Sequence, residues 1–327
     1  MFDNQTNREK TLIQIYKLER MTEISKQKPH PSRIQRFRNS VRREGSVAIA
    51  ILKAIRRRLR RVLIAGRVKS NNFPNPVPDN DLRLDSLDIA SRKELYFSDN
   101  RIAVYTVLFG AYDDIQSPLI HPDNIDYFII TDQNTPTGDW RPLSIENLLP
   151  SEILHDPVLC NRWCKMHPHL LFPDYSMSIY VDANLLITSD LTPMTAALQS
   201  FPVSMFRHYC RSCVYDEVKF CVQDKRIKVN CKEGKAQELI LREHGVPEHW
   251  GLLEAPVIAR LHHDALCISI MEEWWQIFSS EPAKRDQIAL IDCLWKMNIP
   301  TEKIGVLGSS VYRCPMVIKY LHLSAMK

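Results

Sequence analysis

The sequence predicts an α/β domain with a mostly parallel central sheet flanked by helices, preceded by a basic helical extension. Three observations carry that prediction. Through residues 100–327, short apolar runs ending in Gly or Asp alternate with helix-length segments, the pattern of a sheet covered on both faces. Residues 178–187 (SIYVDANLLI) deliver Asp182 to the end of such a run, with Asn184 two positions on; in open α/β sheets, ligands bind outside the carboxyl ends of the strands. Basic charge, finally, is confined upstream. Residues 33–69 hold 13 Lys or Arg against Glu44 alone, whereas the remainder holds 30 basic and 37 acidic residues.

The 327 residues suffice for one large α/β domain plus an appendage. With 45% hydrophobic and 25% charged residues, the composition is that of a globular protein. Nine cysteines, an odd count with several inside apolar helical runs, argue for free thiols in a reducing compartment rather than a disulfide framework. The spacing of Cys210, Cys213, Cys221 and Cys231 matches no standard zinc finger. No apolar run approaches the roughly 18 to 20 residues of a membrane span, and the opening MFDNQTNREK is no secretory signal. The expected location is therefore cytoplasmic.

Three segments are expected: residues 1–70 as the basic extension, 71–99 as a Pro/Asn-rich linker, and 100–327 as the main domain. Within the first, residues 46–66 read as a helix with Ser46 as N-cap and Gly66 as C-cap. Val47, Ile51, Leu52, Ile55, Leu59 and Leu63 are among its apolar positions, and Arg56, Arg57, Arg58, Arg60 and Arg61 crowd its middle. Such a helix suits an anionic membrane surface on the inner face of a membrane, or packing on a partner as an Arg-faced helix. Nucleic acid is not an expected partner, because no aromatic-interleaved pattern accompanies the arginines.

In the main domain, 101–110 (RIAVYTVLFG) and 125–132 (IDYFIITD) read as buried strands. The next segment, LCNRWCKMHPHLLF, reads as a helix that Pro168 shortens or kinks. SIYVD is the next strand and 201–206 (FPVSMF) another, with helices near 232–244, 264–279 and 285–297. Neither a G-x-G-x-x-G nor a G-x-x-x-x-G-K-[ST] occurs, which sets aside dinucleotide oxidoreductases and P-loop kinases.

Candidate chemistry gathers at the strand ends. Phe109 and Gly110 let backbone approach a ligand, and Tyr112 can stack on a base; a simple strand-end turn is the plainer alternative. Asp132 suits a ribose or base, or ends its strand in solvent. Arg162 and Lys165, three apart on one helix face, suit phosphate charge. Asp182 with Asn184 offers hard oxygen ligands. His208, Arg211, Tyr215 and Glu217 follow an apolar run as a polar loop over a site, Glu254 precedes an apolar strand ending in Arg260, and Asp286 and Gln287 open a helix. Asp286 there also complements the helix dipole.

In series, these pieces resemble a known family. VYTVLFGAYDD, YFIITD, KMHPHLLFPDYSMSIYVDANLLI, HYCRSCVYDE, GLLEAPVIAR, MEEWW and RDQ are similar to the GT-A-type glycosyltransferase-like family of bacterial polysaccharide and plant cell-wall hexosyltransferases, itself distantly similar to glycosyltransferase family 8. The resemblance covers about residues 100–300. It implies a single GT-A-like domain that moves a hexose-type sugar, from a UDP-sugar, to a saccharide or lipid-linked saccharide in polysaccharide biosynthesis, with retention at the anomeric carbon. It implies Mn2+ or Mg2+ at Asp182, Asn184 and a late histidine, His322. The donor side would be Phe109, Gly110, Tyr112, Asp132, Arg162, Lys165, Asp182, Ala183 and Asn184. His208, Arg211, Tyr215, Glu217 and Arg260 would meet the sugar or acceptor, with Glu254, Asp286 and Gln287 catalytic. Two alternatives remain open at this level: a non-catalytic GT-A module that binds a saccharide or partner, and a sugar nucleotidyltransferase.

Overall fold

A computed structural model describes residues 101–110, 115–133, 137–144, 148–224, 229–308 and 310–319, all within the unit Val77–Lys327. The expected basic helix at 46–66, the linker, Tyr112 and His322 lie outside the described residues.

The main sheet has six strands in the order β3-β2-β1-β4-β7-β6. They are β1 (Ile102–Leu108), β2 (Ile125–Thr131), β3 (Arg141–Pro142), β4 (Met177–Val181), β6 (Val203–Arg207) and β7 (Leu253–Arg260). Strands β3, β2, β1 and β4 pair in parallel, whereas β7 runs antiparallel to both β4 and β6. The sheet is thus mostly parallel, as expected, with one reversed strand that apolar runs alone do not reveal. Two further short strands, β5 (Leu185–Ile187) and β8 (Val317–Lys319), make a small antiparallel sheet.

Strand β1 shows why both faces had to be covered. Its seven residues are all buried, and period-two alternation sends them to different cores. Ala103, Tyr105 and Val107 join one cluster with Trp274, Phe278 and Leu290. Ile102 and Val104 join another with Leu185, Leu198 and Leu307. The first cluster is roofed by α1 (Pro157–Met166), α5 (Ala265–Ser280) and α6 (Asp286–Lys296). A third cluster joins α3 (Val214–Gln223) and α4 (Cys231–Glu243) to α6 through Val218, Leu241 and Ile291.

Helix ends follow local chemistry. Asp156 caps α1 by accepting the Val158 and Leu159 amides at 2.8 and 3.2 Å, with Pro157 in the first turn. The helix stops at Met166, and α2 (Pro168–Leu171) restarts behind Pro168, the break a helix-interior proline imposes. Asp264 caps α5 and Asn230 caps α4, the latter as a capping box with Glu233.

Gly251 sets the entry into β7. Its φ of +110° is a left-handed value, and an added Cβ would lie 2.0 Å from Thr301 Oγ1, a hydroxyl that donates to Trp250 O. Gly251→Ala therefore combines backbone strain with overpacking, at a cost of roughly 3 kcal/mol. A melting temperature unchanged from wild type would contradict this reading.

Candidate active site

The parallel strands deliver their ends to one edge of the sheet. Because β7 reverses between β4 and β6, the exits of β1, β2, β4 and β6 and the start of β7 share that edge. In spatial order they present Asp132, Gly110, Asp182, Glu254 and His208. Backbone bonds hold the row: Asp182 N donates to Pro256 O at 2.8 Å, and His208 N to Leu252 O at 2.9 Å.

On the β1–β2 side, Gly110 (φ +82°) lies against Pro157 at the start of α1. Its amide donates to both carboxylate oxygens of Asp132, at 3.1 and 3.0 Å. Asp132 is exposed and braces the turn leaving β1. Phe109, in contrast, is 6% exposed, its ring within the helix-side core. Burial keeps that ring from the donor contact expected of Phe109, leaving only its backbone at the strand end.

The centre is a chain of charges. Lys165, 2% exposed, places Nζ 2.8 Å from Asp286 Oδ2 and 3.8 Å from Asp182 Oδ1. Arg162 Nε lies 2.9 Å from the same Asp286 oxygen, so the i, i+3 spacing does bring both cations to one face. The Tyr180 hydroxyl donates to Asp182 Oδ1 at 2.7 Å, and Lys165 Nζ sits 4.9 Å from the Tyr180 ring centre. Burial acts to raise the Asp286 carboxyl, but Arg162, Lys165 and Arg285 outweigh it and hold it well below the usual carboxylate range. Lys165 thus brings positive charge to the half-exposed Asp182, with Arg162 next to it on Asp286. Such charge favours a phosphate.

Asp286 and Gln287, expected to be catalytic, are both engaged by protein partners. Asp286 is held ionised in a buried ion pair and does not carry a proton. The Gln287 amide is committed to Leu253 O at 2.8 Å. Both side chains tie α6 to its surroundings, Asp286 to α1 and Gln287 to the start of β7.

Glu254 is different. It is the second residue of β7 rather than a residue before it, is 6% exposed, and its Oε2 has no hydrogen-bond partner among the described residues. Burial pushes its carboxyl up to about 7, against the pull of Lys319. His208 Nε2 lies 4.0 Å from Glu254 and 3.7 Å from Glu217. The Cys210 and Arg211 amides point at His208 Nδ1, at 3.3 and 3.1 Å, and the Arg211 guanidinium Nη2 faces Nε2 at 3.1 Å, so both ring nitrogens face donors. Burial, then Arg211 and Lys319, lower His208 to about 3, so it is neutral. Glu217 is buried and bonded to Arg211 Nε at 2.6 Å.

Two further expectations are overturned. Tyr215 is buried in the α3–α4 cluster, its hydroxyl bonded to Val246 O at 2.6 Å, because helical spacing turns it away from Glu217. Arg260 is wholly buried at the opposite end of β7, paired in register with Ser178. It donates to Lys165 O at 2.6 Å and Tyr105 Oη at 2.5 Å; a cation on terminal helix carbonyls stabilises the end of α1. Neither can meet a sugar. Lys319, missed by sequence reasoning, reaches this region from β8 with no local pattern to mark it.

Ala183 and Asn184 are buried in the turn after β4, which Leu185 N closes on Asp182 O at 2.9 Å. No group of three His, Cys, Asp or Glu suited to a metal occurs among the described residues. A divalent ion at Asp182 would have to draw most of its ligands from phosphate and water rather than from a protein cage. No helix among the described residues is long and apolar enough to cross a membrane.

The class of this mostly parallel α/β domain, with acid and cation chemistry at its strand ends, comes from the family it matches: it is a glycosyltransferase-like domain. The family model described as TOD1/MUCI70, glycosyltransferase-like domain, matches residues 123–303, and the chain belongs to that family. Asp182, Glu254 and Asp286 all lie inside the matched region. No curated protein matches. Among solved structures, the WbbM bifunctional glycosyltransferase in apo form is similar over 62% of this chain and 38% of its own, at 11% identity and a TM-score of 0.36. This chain therefore spans well under half of that protein. Mouse xyloside xylosyltransferase 1, also apo, is similar over 62% of this chain and 83% of its own, at 9% identity and a TM-score of 0.33.

Proposed function

We propose that this chain transfers a hexose-type sugar from a UDP-sugar to a saccharide or lipid-linked saccharide acceptor. The observation that carries the reading is Glu254, a buried carboxyl raised to about 7, at the same sheet edge as Asp182. A carboxyl near neutral pH suits a base that takes a proton from a hydroxyl. Glu254 accepts the acceptor hydroxyl's proton as the new bond to the anomeric carbon forms. The bond from that carbon to the diphosphate breaks, and the diphosphate leaves with the electron pair. Lys165 beside Asp182, with Arg162 next to it on Asp286, stabilises the developing charge. Mn2+ or Mg2+ at Asp182, with Asn184 and His322 as the further ligands the resemblance implies, would supply additional stabilisation of the leaving group.

Displacement from the face opposite the diphosphate would invert the anomeric carbon. Retention, which the likeness to glycosyltransferase family 8 implies, requires the acceptor to attack from the face the diphosphate leaves. The anomeric configuration of the product, read by NMR, decides between them. A cytoplasmic location on an anionic membrane face through residues 46–66 also belongs to this proposal. Deleting residues 1–70 should release the protein from membrane fractions and leave donor hydrolysis intact.

The deciding experiment is calorimetry of UDP with and without Mn2+. Asp182→Ala should abolish Mn2+-dependent UDP binding, while wild type gains thermal stability with UDP-sugars by mass action. Tight, metal-independent binding in the variant would refute the role of Asp182. Silence of wild type across a UDP-sugar panel would favour a non-catalytic module.

A further inference from the structure

The outer edge of the site carries two aromatic rings that the reaction as described does not use. Tyr209 and Tyr312 are 54% and 55% exposed. Their ring centres are 5.0 Å apart at an interplanar angle of 70°. One face of Tyr209 is covered by His208, stacked at 5.3 Å and 18°, and His208 in turn reaches Glu254. Lys319 Nζ lies 4.9 Å from the Tyr312 ring centre and 3.3 Å from its hydroxyl.

Backbone holds the two rings together. Tyr209 leaves the end of β6, while Tyr312 sits in a short 3-10 turn of the returning chain. That return is fastened to β6 by Arg207 N to Gly308 O at 2.9 Å and Leu307 N to Met205 O at 3.1 Å. Ser310 Oγ accepts the Tyr312 amide at 3.1 Å. The adjoining Val311 amide acts on Glu254 itself, so the turn that presents Tyr312 also borders the buried carboxyl. The result is a corner of two rings, open to solvent, beside an unpartnered buried Glu254 Oε2.

We infer that Tyr209 and Tyr312 form a platform for a pyranose ring of the acceptor saccharide, with Lys319 donating to its hydroxyls. This rests on the transferase reading above. A pyranose has an apolar C–H face that packs on an aromatic ring and a hydroxyl rim that needs polar partners, and this corner supplies both. Position separates it from the nucleotide. The platform stands at β6, the far edge of the sheet, with β4 and β7 between it and the β1–β2 exits, so Glu254 lies between the donor side and the platform.

The test uses saturation-transfer-difference NMR on the full chain with methyl glycosides of glucose, galactose, mannose, xylose and galacturonic acid, in the presence of UDP and Mn2+. At least one glycoside should receive saturation at its ring C–H protons. Tyr209→Ala and Tyr312→Ala should weaken that binding about tenfold, equivalent to about 1.4 kcal/mol, and Tyr209→Phe should restore it. No saturation by wild type, or Ala variants that bind within twofold of wild type, overturns the platform. Hydrolysis of UDP-sugars is followed in the same proteins. Hydrolysis without glycoside binding sinks the platform and leaves the transferase reading standing, whereas glycoside binding without hydrolysis does the reverse.

Discussion

Glu254→Gln should lower kcat for transfer by about 100- to 10,000-fold, the range for loss of a positioned proton acceptor, with UDP affinity unchanged. The same substitution should stabilise the fold at alkaline pH. The ordinary Glu value is 4.5 and the folded value about 7. Between these, the folded state holds a proton that the unfolded chain has released. The contribution of Glu254 to stability therefore declines as pH rises from 4.5, and its full cost is present above 7. That cost is about 3 kcal/mol, from the size of the shift. Glutamine, which does not ionise, escapes it. Thermal melts at pH 4 and pH 8 should show the variant close to wild type at the lower pH and above it at the higher. A pH-independent offset together with near-normal kcat would remove Glu254 from the mechanism.

Lys165→Met should be the most destabilising single change in the site. It removes the ammonium that lies 2.8 Å from Asp286 and 3.8 Å from Asp182, leaving a buried carboxylate short of a partner. Breaking a buried pair on one side costs about 3 to 5 kcal/mol, or on the order of 10 °C in melting temperature for a domain of this size. Asp286→Asn should be costly in the opposite sense, stranding Lys165 and Arg162. The double variant should lose less than the two single losses combined, because the groups are in contact. Strict additivity would mean that the pair is not coupled. Since the folded Asp286 value is depressed, its contribution is present above the ordinary 3.8 and fades as pH falls below it. The gap between wild type and Asp286→Asn should close in acid.

Much of this site was legible because it lies at strand ends, where pattern and position coincide. The runs ending at Gly110, Asp132 and Asp182 named their strands, and the direction of a parallel sheet put those ends together. The three-residue spacing of Arg162 and Lys165 likewise placed both on one helix face. Roles were less legible. Arg260 and Tyr215 carry the same side-chain chemistry as sugar-binding residues, yet one anchors a helix end inside the core and the other fills a helix interface. Asp286 reads from sequence only as a helix-opening acid that the resemblance marks as catalytic, since only the packing of α6 on α1 brings Lys165 and Arg162 to it.

The reversed strand β7 separates what the two levels decide. Local pattern specifies that 253–260 is a buried strand, because burial on both faces demands an unbroken apolar run whichever way the strand points. Direction depends on which neighbours it pairs with, and those are β4, more than seventy residues earlier, and β6. That pairing puts Glu254 at the same sheet edge as Asp182 and sends Arg260 to the opposite edge. The sequence by itself determined the α/β class, the strand ends and the family resemblance, all set by short-range periodicity and composition. Tertiary structure decided which of the named residues meet, which are buried as structure, and that Lys319, Tyr209 and Tyr312 border Glu254, because contacts between segments about a hundred residues apart leave no local signature.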